Sequence, residues 1–204
     1  DGSGSLNLST GTGLLAAACG IRVVKHGNRS ISSQSGSADM LEKIGMSLPT
    51  TEKKAIAALN HLGFTFLFSP VFHPAMKAIM PVRNALGVRT VFNMLGPLSN
   101  PATPPFQLIG AFSNGAAKLM AETLSGLPIK RAFVVHGASS WDEATPIGEF
   151  HLYEVTPGNV TETLRQPEDY GLKRCLPEDL LGKDAAYNAR ALELVFSQED
   201  KGAH

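Results

Sequence analysis

Apolar residues follow two rhythms along this chain. Short runs of β-forming residues read as strands at Phe64–Phe68, Gln107–Phe112, Arg131–Gly137 and Phe150–Val155, and Ile21, Val23 and Val24 lead into another. The run ending at Gly137 is apolar at successive positions, as in a strand buried on both faces, whereas Phe150–Val155 alternates and reads as half-exposed. Between the strands, apolar residues recur at helical spacing. A buried helix is expected from Gly13 to Gly20. A second spans Met40–Ile44, capped by Ser37-Ala38-Asp39 and stopped by Gly45. A third opens at Pro49-Thr50-Thr51-Glu52, runs through Ala55, Ile56, Ala58 and Leu59, and ends at Gly63. Further helices are expected over Ala75–Leu86, with a break at Pro81, over Ala116–Leu124 and over Lys183–Phe196. Ser69–Pro74 reads as a rigid loop, and Thr90-Val91-Phe92 as a short strand or turn. Strands alternating with helices predict an α/β fold, a mainly parallel central sheet flanked by helices. No repeat and no linker interrupts it, so residues 1–204 read as one α/β domain.

Two stretches break the apolar pattern. Lys25-His26-Gly27-Asn28-Arg29-Ser30-Ile31-Ser32-Ser33-Gln34-Ser35-Gly36-Ser37 lies between a strand and a helix and is almost wholly polar. It combines fixed positive charge, hydroxyl donors and glycines at a helix start, the chemistry that binds phosphate. Asp1–Thr10 is a second small-residue loop, with Gly2 and Gly4 permitting close backbone approach and Asn7, Ser9 and Thr10 as helix caps. Ligands of such sheets sit at the carboxyl ends of the strands, where these loops would meet.

Charge narrows the choice of partner. Across 204 residues the formal net charge is zero, which argues against a general nucleic-acid binder. An anionic ligand must then be held by local groups. Cys19 and Cys175 have no metal-type spacing and read as reduced thiols of an intracellular protein. No apolar run reaches the roughly 18 residues of a membrane span. Asp142 and Glu143 follow a buried strand and are hard oxygen donors suited to Mg²⁺. Taken by themselves, an Asp-Glu pair is more often a solvated turn, His73 a loop residue and Arg83 a surface cation.

The segments DGSGSLNLSTGTGLLAAACGIRVVKHGNRSISSQSGSAD (Asp1–Asp39), FLFSPVFHPAMKAIMPVRNALGVRTVFNMLGPLSNPA (Phe66–Ala102) and VVHGASSWDE (Val134–Glu143) resemble anthranilate phosphoribosyltransferases. The resemblance implies the large domain of the nucleoside phosphorylase/phosphoribosyltransferase-like fold. It also implies transfer of phosphoribosyl from phosphoribosyl pyrophosphate (PRPP) to the amine of anthranilate, releasing pyrophosphate, in tryptophan biosynthesis. By position, Asp1, Ser5, Asn7, Ser9 and Thr10 resemble the first PRPP loop. Lys25, His26, Gly27, Asn28, Arg29, Ser30, Ile31, Ser32 and Ser33, with Ser37, resemble the second. Asn28, His73 and Arg83 resemble the anthranilate contacts, Arg83 facing the carboxylate. Asp142 and Glu143, with Ser9 near them, resemble the Mg²⁺ site. No residue is assigned as a general base, because an aromatic amine near neutral pH is already a nucleophile.

The family pattern also implies parts that this sequence lacks. A Gly-Thr-Gly-Gly run and a helical N-terminal domain would precede Asp1, and further helices would follow His204, so the chain is expected to be a fragment of a homodimeric enzyme. The compartment would be the cytoplasm, or the plastid stroma for a plant or alga. Ser139-Ser140-Trp141 stands where the family has Asp-Gly-Leu. A pyrimidine nucleoside phosphorylase-like enzyme and a non-catalytic nucleic-acid-binding relative are the alternatives, to be separated by phosphorolysis and salt-dependent DNA-binding assays. Small-molecule substrates, with neither nucleic acid nor membrane, are the expected partners.

Overall fold

A computed structural model of the chain describes residues 4–29, 35–74, 91–200 and 202. They form two compact units, one over residues 2–88 with 180–202, the other over 89–179. The helix expected over Ala75–Leu86 lies outside the described residues.

In the first unit, helix α1 (Leu8–Ala18) leads through Gly20, at φ 89°, into strand β1 (Val23–Gly27). Helices α2 (Ser37–Lys43) and α3 (Glu52–Leu62) return the chain to strand β2 (Phe64–Phe68), which pairs parallel with β1 from Val23–Phe64 to Gly27–Phe68. The α3 boundaries follow from capping: Thr51 Oγ1 accepts the Lys54 N–H at 3.3 Å, and Gly63 closes the helix in the left-handed region. Phe64, Phe66, Ala38 and Leu41 are buried between β2 and α2, with Leu14 and Val23 packed against them. Ser69–Pro74 is less of a loop than expected, because Ser69–Phe72 makes one helical turn, α4. α1 is also less buried than its apolar run suggests: only Thr10 and Gly11 are buried, and Leu15 is exposed. The last helix of the chain, α7 (Ala185–Phe196), belongs to this unit and starts where Asp184 Oδ1 accepts the Tyr187 N–H at 2.8 Å. It packs Ala189 and Leu192 on Met40 of α2.

The second unit is a four-stranded sheet in the order β3 (Phe106–Gly110), β4 (Arg131–His136), β5 (Phe150–Thr156), β6 (Asn159–Arg165). β3 and β4 are parallel, joined by helix α6 (Asn114–Ser125), while β4–β5 and β5–β6 are antiparallel. The α/β class is the one expected, with an antiparallel hairpin added to the parallel strands. Ile109, Ala132, Val134, Tyr153 and Val155 form the sheet side of a core covered by Ala117, Met120, Ala121 and Leu124 of α6. Tyr153 is 2% exposed, and its hydroxyl donates to Asn114 Oδ1 at 2.7 Å; burial, then Glu162, pushes its pKa up to about 12. A correction concerns Phe92: Phe92–Leu98 is a helix, α5, rather than a strand or turn. Its β-forming lead misdirects the reading, and Pro97 near its end removes one amide donor without preventing the turn. β6 was not expected at all.

No helix among the described residues is long and apolar enough to cross a membrane.

Candidate functional site

The polar loops of the first unit meet through their side chains. Lys25 leaves β1 and its Nζ donates to Ser9 Oγ, in the first turn of α1, at 2.5 Å. Asn7 occupies the N-cap position of α1 yet makes no capping bond. Its amide is used elsewhere: Nδ2 donates to the Ser35 carbonyl at 3.4 Å, and Oδ1 accepts from Ser35 Oγ at 3.2 Å. The first loop is thus bonded to the second at two places. Thr10 Oγ1 is buried and has no hydrogen-bond partner among the described residues. Ser5 pairs in an antiparallel bridge with Leu181, which fixes the backbone just before Asn7.

Beyond Lys25 the second loop is set by β2 and α2. Gly27 lies under the Phe66 ring, where an added Cβ would stand 3.1 Å from it. Asn28 Oδ1 accepts the Arg29 N–H at 2.8 Å, and the Asn28 carbonyl accepts the Ala38 N–H at 3.4 Å, at the start of α2. Ser37 is the first residue of α2. Arg29 faces α2: its guanidinium donates to both carboxylate oxygens of Glu42 at 2.6 and 2.8 Å and to Asp39 Oδ1 at 2.9 Å. Those hydrogen bonds, Glu42 first, hold its pKa above the usual guanidinium range. Asp1, Ser30, Ile31, Ser32, Ser33 and Arg83 lie outside the described residues.

His26 and His73 form an edge-to-face pair with ring centroids 4.4 Å apart. Ser69 Oγ lies 2.9 Å from His26 Nε2 and 2.9 Å from the Gly27 carbonyl. A carbonyl can only accept, so the single Ser69 hydroxyl proton goes there, and His26 Nε2–H donates to Ser69. Burial, then the neighbouring His73, lowers the His26 pKa to about 4, so the ring stays neutral at physiological pH, with its one proton on Nε2. His73 Nε2 is buried with no hydrogen-bond partner among the described residues, an orphan that suits a ligand's polar group.

The acidic pair belongs to the other unit and is built differently. After β4 the chain turns through Ser139 (φ 56°) and Ser140 (φ 63°), both left-handed without being glycine. Trp141, 4% exposed, anchors the turn, and its carbonyl accepts the Gly137 N–H at 2.8 Å. The Asp142 backbone then crosses Gly110 and that of Glu143 crosses Gly137. A Cβ at either glycine would fall 1.9 Å from the Asp142 carbonyl oxygen or 2.1 Å from that of Glu143. Both acids are half-buried, and Glu143 Oε2 is buried. Two adjacent carboxylates fit Mg²⁺, which takes one or two protein carboxylates and completes its octahedron with water and phosphate oxygens. No cluster of three or more His, Cys, Asp or Glu suited to a metal occurs among the described residues.

A hollow of about 480 Å³ in the same unit, lined by Leu108, Phe133, Val135, Leu152 and neighbouring residues, is mainly apolar and is lined by no cationic side chain. Sequence reasoning missed three polar residues of the first unit. Ser69 gave no signal. Ser35 was one serine among several. Asn188 is fully buried on α7 and donates Nδ2–H to Asn7 Oδ1 at 3.1 Å; its signal was a polar residue in phase with Ala189 and Leu192.

Known proteins resemble the chain throughout. The model of a glycosyl transferase family, a/b domain, matches residues 1–204. An anthranilate phosphoribosyltransferase of Rubrobacter xylanophilus is 45% identical over 203 residues, covering 100% of this chain and 59% of that protein. The crystal structure of anthranilate phosphoribosyltransferase from Thermus thermophilus matches with a TM-score of 0.90 at 45% identity, over 99% of this chain and 60% of that one. The Saccharomyces cerevisiae enzyme in complex with PRPP and Mg matches with a TM-score of 0.80 at 28% identity, over 95% of this chain and 54% of that one. The chain therefore spans less than two thirds of the length of these relatives.

Proposed function

This chain belongs to the glycosyl transferase family, a/b domain, and from that premise we propose that it is the α/β part of an anthranilate phosphoribosyltransferase. The observation that carries the reading is the joining of two polar loops, Lys25 to Ser9 and Asn7 to Ser35, into one cradle of cation, hydroxyls and amide. Such a cradle suits a phosphorylated ribose better than an uncharged ligand.

In this reading PRPP lies along Ser5, Asn7, Ser9, Thr10, Lys25, Asn28 and Ser37, with Asp1 and Ser30–Ser33 completing the loops. His26 and Gly27 shape the strand end beneath it. Anthranilate takes Asn28, His73 and Arg83, Arg83 pairing with its carboxylate. Asp142 and Glu143 would hold Mg²⁺, whose charge offsets that of the departing pyrophosphate. The anthranilate nitrogen attacks C1′, the bond from C1′ to the pyrophosphate oxygen breaks, and the electron pair leaves with pyrophosphate. The proton shed by nitrogen passes to solvent. The residues named act by holding both reactants in line and by donating to oxygens where negative charge grows.

The test is loss of anthranilate fluorescence on adding PRPP and Mg²⁺ to the intact protein. Turnover supports the reading. A protein that binds neither substrate overturns it.

A further inference from the structure

We propose that Asn188, on the last helix, is a positioning residue for the phosphate cradle, acting through Asn7. The inference rests on the reading of that cradle as the PRPP site.

Asn188 is 1% exposed, on the face of α7 that also buries Ala189 and Leu192. A buried amide is unfavourable unless its donors and acceptor are met. Asn188 Oδ1 accepts the Lys183 N–H at 2.8 Å, and Nδ2 donates to Asn7 Oδ1 at 3.1 Å. The first bond fixes the second, because a backbone N–H can only donate, so the carbonyl end must face Lys183 and the amino end Asn7.

Asn7 Oδ1 therefore receives two donors, from Asn188 and from Ser35 Oγ at 3.2 Å. Two donors on one oxygen dictate which way the Asn7 amide points and send its Nδ2 to the Ser35 carbonyl. The backbone beside it is held by the same segment of chain. The Leu6 N–H donates to the Leu180 carbonyl at 3.0 Å, and the Gly182 N–H donates to the Gly4 carbonyl at 2.8 Å. A Cβ at Gly182 would stand 2.7 Å from both Asn188 Oδ1 and the Ser5 carbonyl oxygen, so the two strands of chain and the amide are in close register. Residues 180–188 thus set both the backbone and the side-chain orientation of the first loop.

The experiment measures the KM for PRPP and for anthranilate, with the thermal midpoint, in the intact protein and in three variants. Asn188→Asp keeps the shape and the acceptor for Lys183 but loses the donor to Asn7 at alkaline pH. Its PRPP KM should rise about tenfold at alkaline pH, the effect of one net hydrogen bond, with the anthranilate KM little changed. That excess should shrink as pH falls, because the introduced carboxyl regains a donor once it is protonated. Asn188→Ala should raise the PRPP KM at every pH. Leu192→Ala, which opens the same helix face, should lower the thermal midpoint and leave the ratio of the two KM values unaltered. Equal rises in both KM values, or a PRPP KM for Asn188→Asp matching that of the unaltered protein, would overturn the role of Asn188 alone. Absence of PRPP binding in the unaltered protein would overturn the cradle reading together with it.

Discussion

The polar cradle of the first unit and the acidic loop of the second are held by opposite means. Lys25 and Ser9, like Asn7 and Ser35, are joined through side-chain atoms, and their backbones lie in or beside ordinary helices and strands. Asp142 and Glu143 are carried by backbone crossing two glycines at distances that admit no Cβ, after two left-handed serines. The difference teaches where each region is vulnerable. A side-chain network fails when a donor is removed, whereas a backbone crossing fails when a methyl is added.

The sharpest way to break the comparison is to strip the carboxylates and leave the crossing intact. Replacing both Asp142 and Glu143 by Ala should abolish Mg²⁺-dependent turnover. Retained turnover would reduce the loop to architecture. The reverse change, Gly137→Ala, adds one methyl against a backbone oxygen that cannot swing aside as a side chain would. It should cost about 3 kcal/mol in urea unfolding, the upper end of overpacking effects. A change in urea midpoint too small to resolve would mean that the loop relaxes freely.

In the cradle, Lys25→Ala should raise the PRPP KM roughly thirtyfold, as expected for loss of a charged hydrogen bond worth about 2 kcal/mol. His26 adds a pH test. Its folded pKa of about 4 lies below the ordinary 6.5, so between those values the unfolded chain binds a proton that the folded one refuses. Stability contributed by His26 is complete above pH 6.5 and is lost as pH falls toward 4, and His26→Gln should flatten the unfolding profile across that window. The smallest effect belongs to Arg29→Ala. An exposed pair with Glu42 and Asp39 contributes under about 1 kcal/mol, and salt should erase it. A PRPP KM raised as far as that of Lys25→Ala would mean that Arg29 leaves its carboxylates for the substrate.

What the sequence made legible follows from how each feature writes itself into residue types. Phe64–Phe68 is read to the residue because five successive apolar or β-branched residues between Gly63 and Ser69 admit little else. The polar loops are equally plain, since charge and hydroxyls without apolar spacing mark a surface built for a ligand. β6 escaped because Asn159–Arg165 is an edge strand with few buried positions and hence no alternation to read. The engagement of Arg29 with Glu42 is invisible in composition, because they stand thirteen positions apart and only the packing of α2 against β2 brings them together. The same holds for Asn188 and Asn7, which only the tertiary fold makes neighbours.

The bond between Asn7 and Asn188 also sets an order of events during synthesis. The two residues are 181 positions apart, so Asn7 is made long before its anchor. At ribosomal speeds of about 5–20 residues per second, that wait is roughly 10–40 s. Throughout it, α1 and β1 can form from local contacts and Ser35 can already reach Asn7, but the Asn7 amide lacks its second donor, Asn188. The set of bonds to Asn7 is therefore completed in one late step, when α7 closes this long loop, and a nascent chain released before Asn188 would carry both polar loops joined to each other but not to α7.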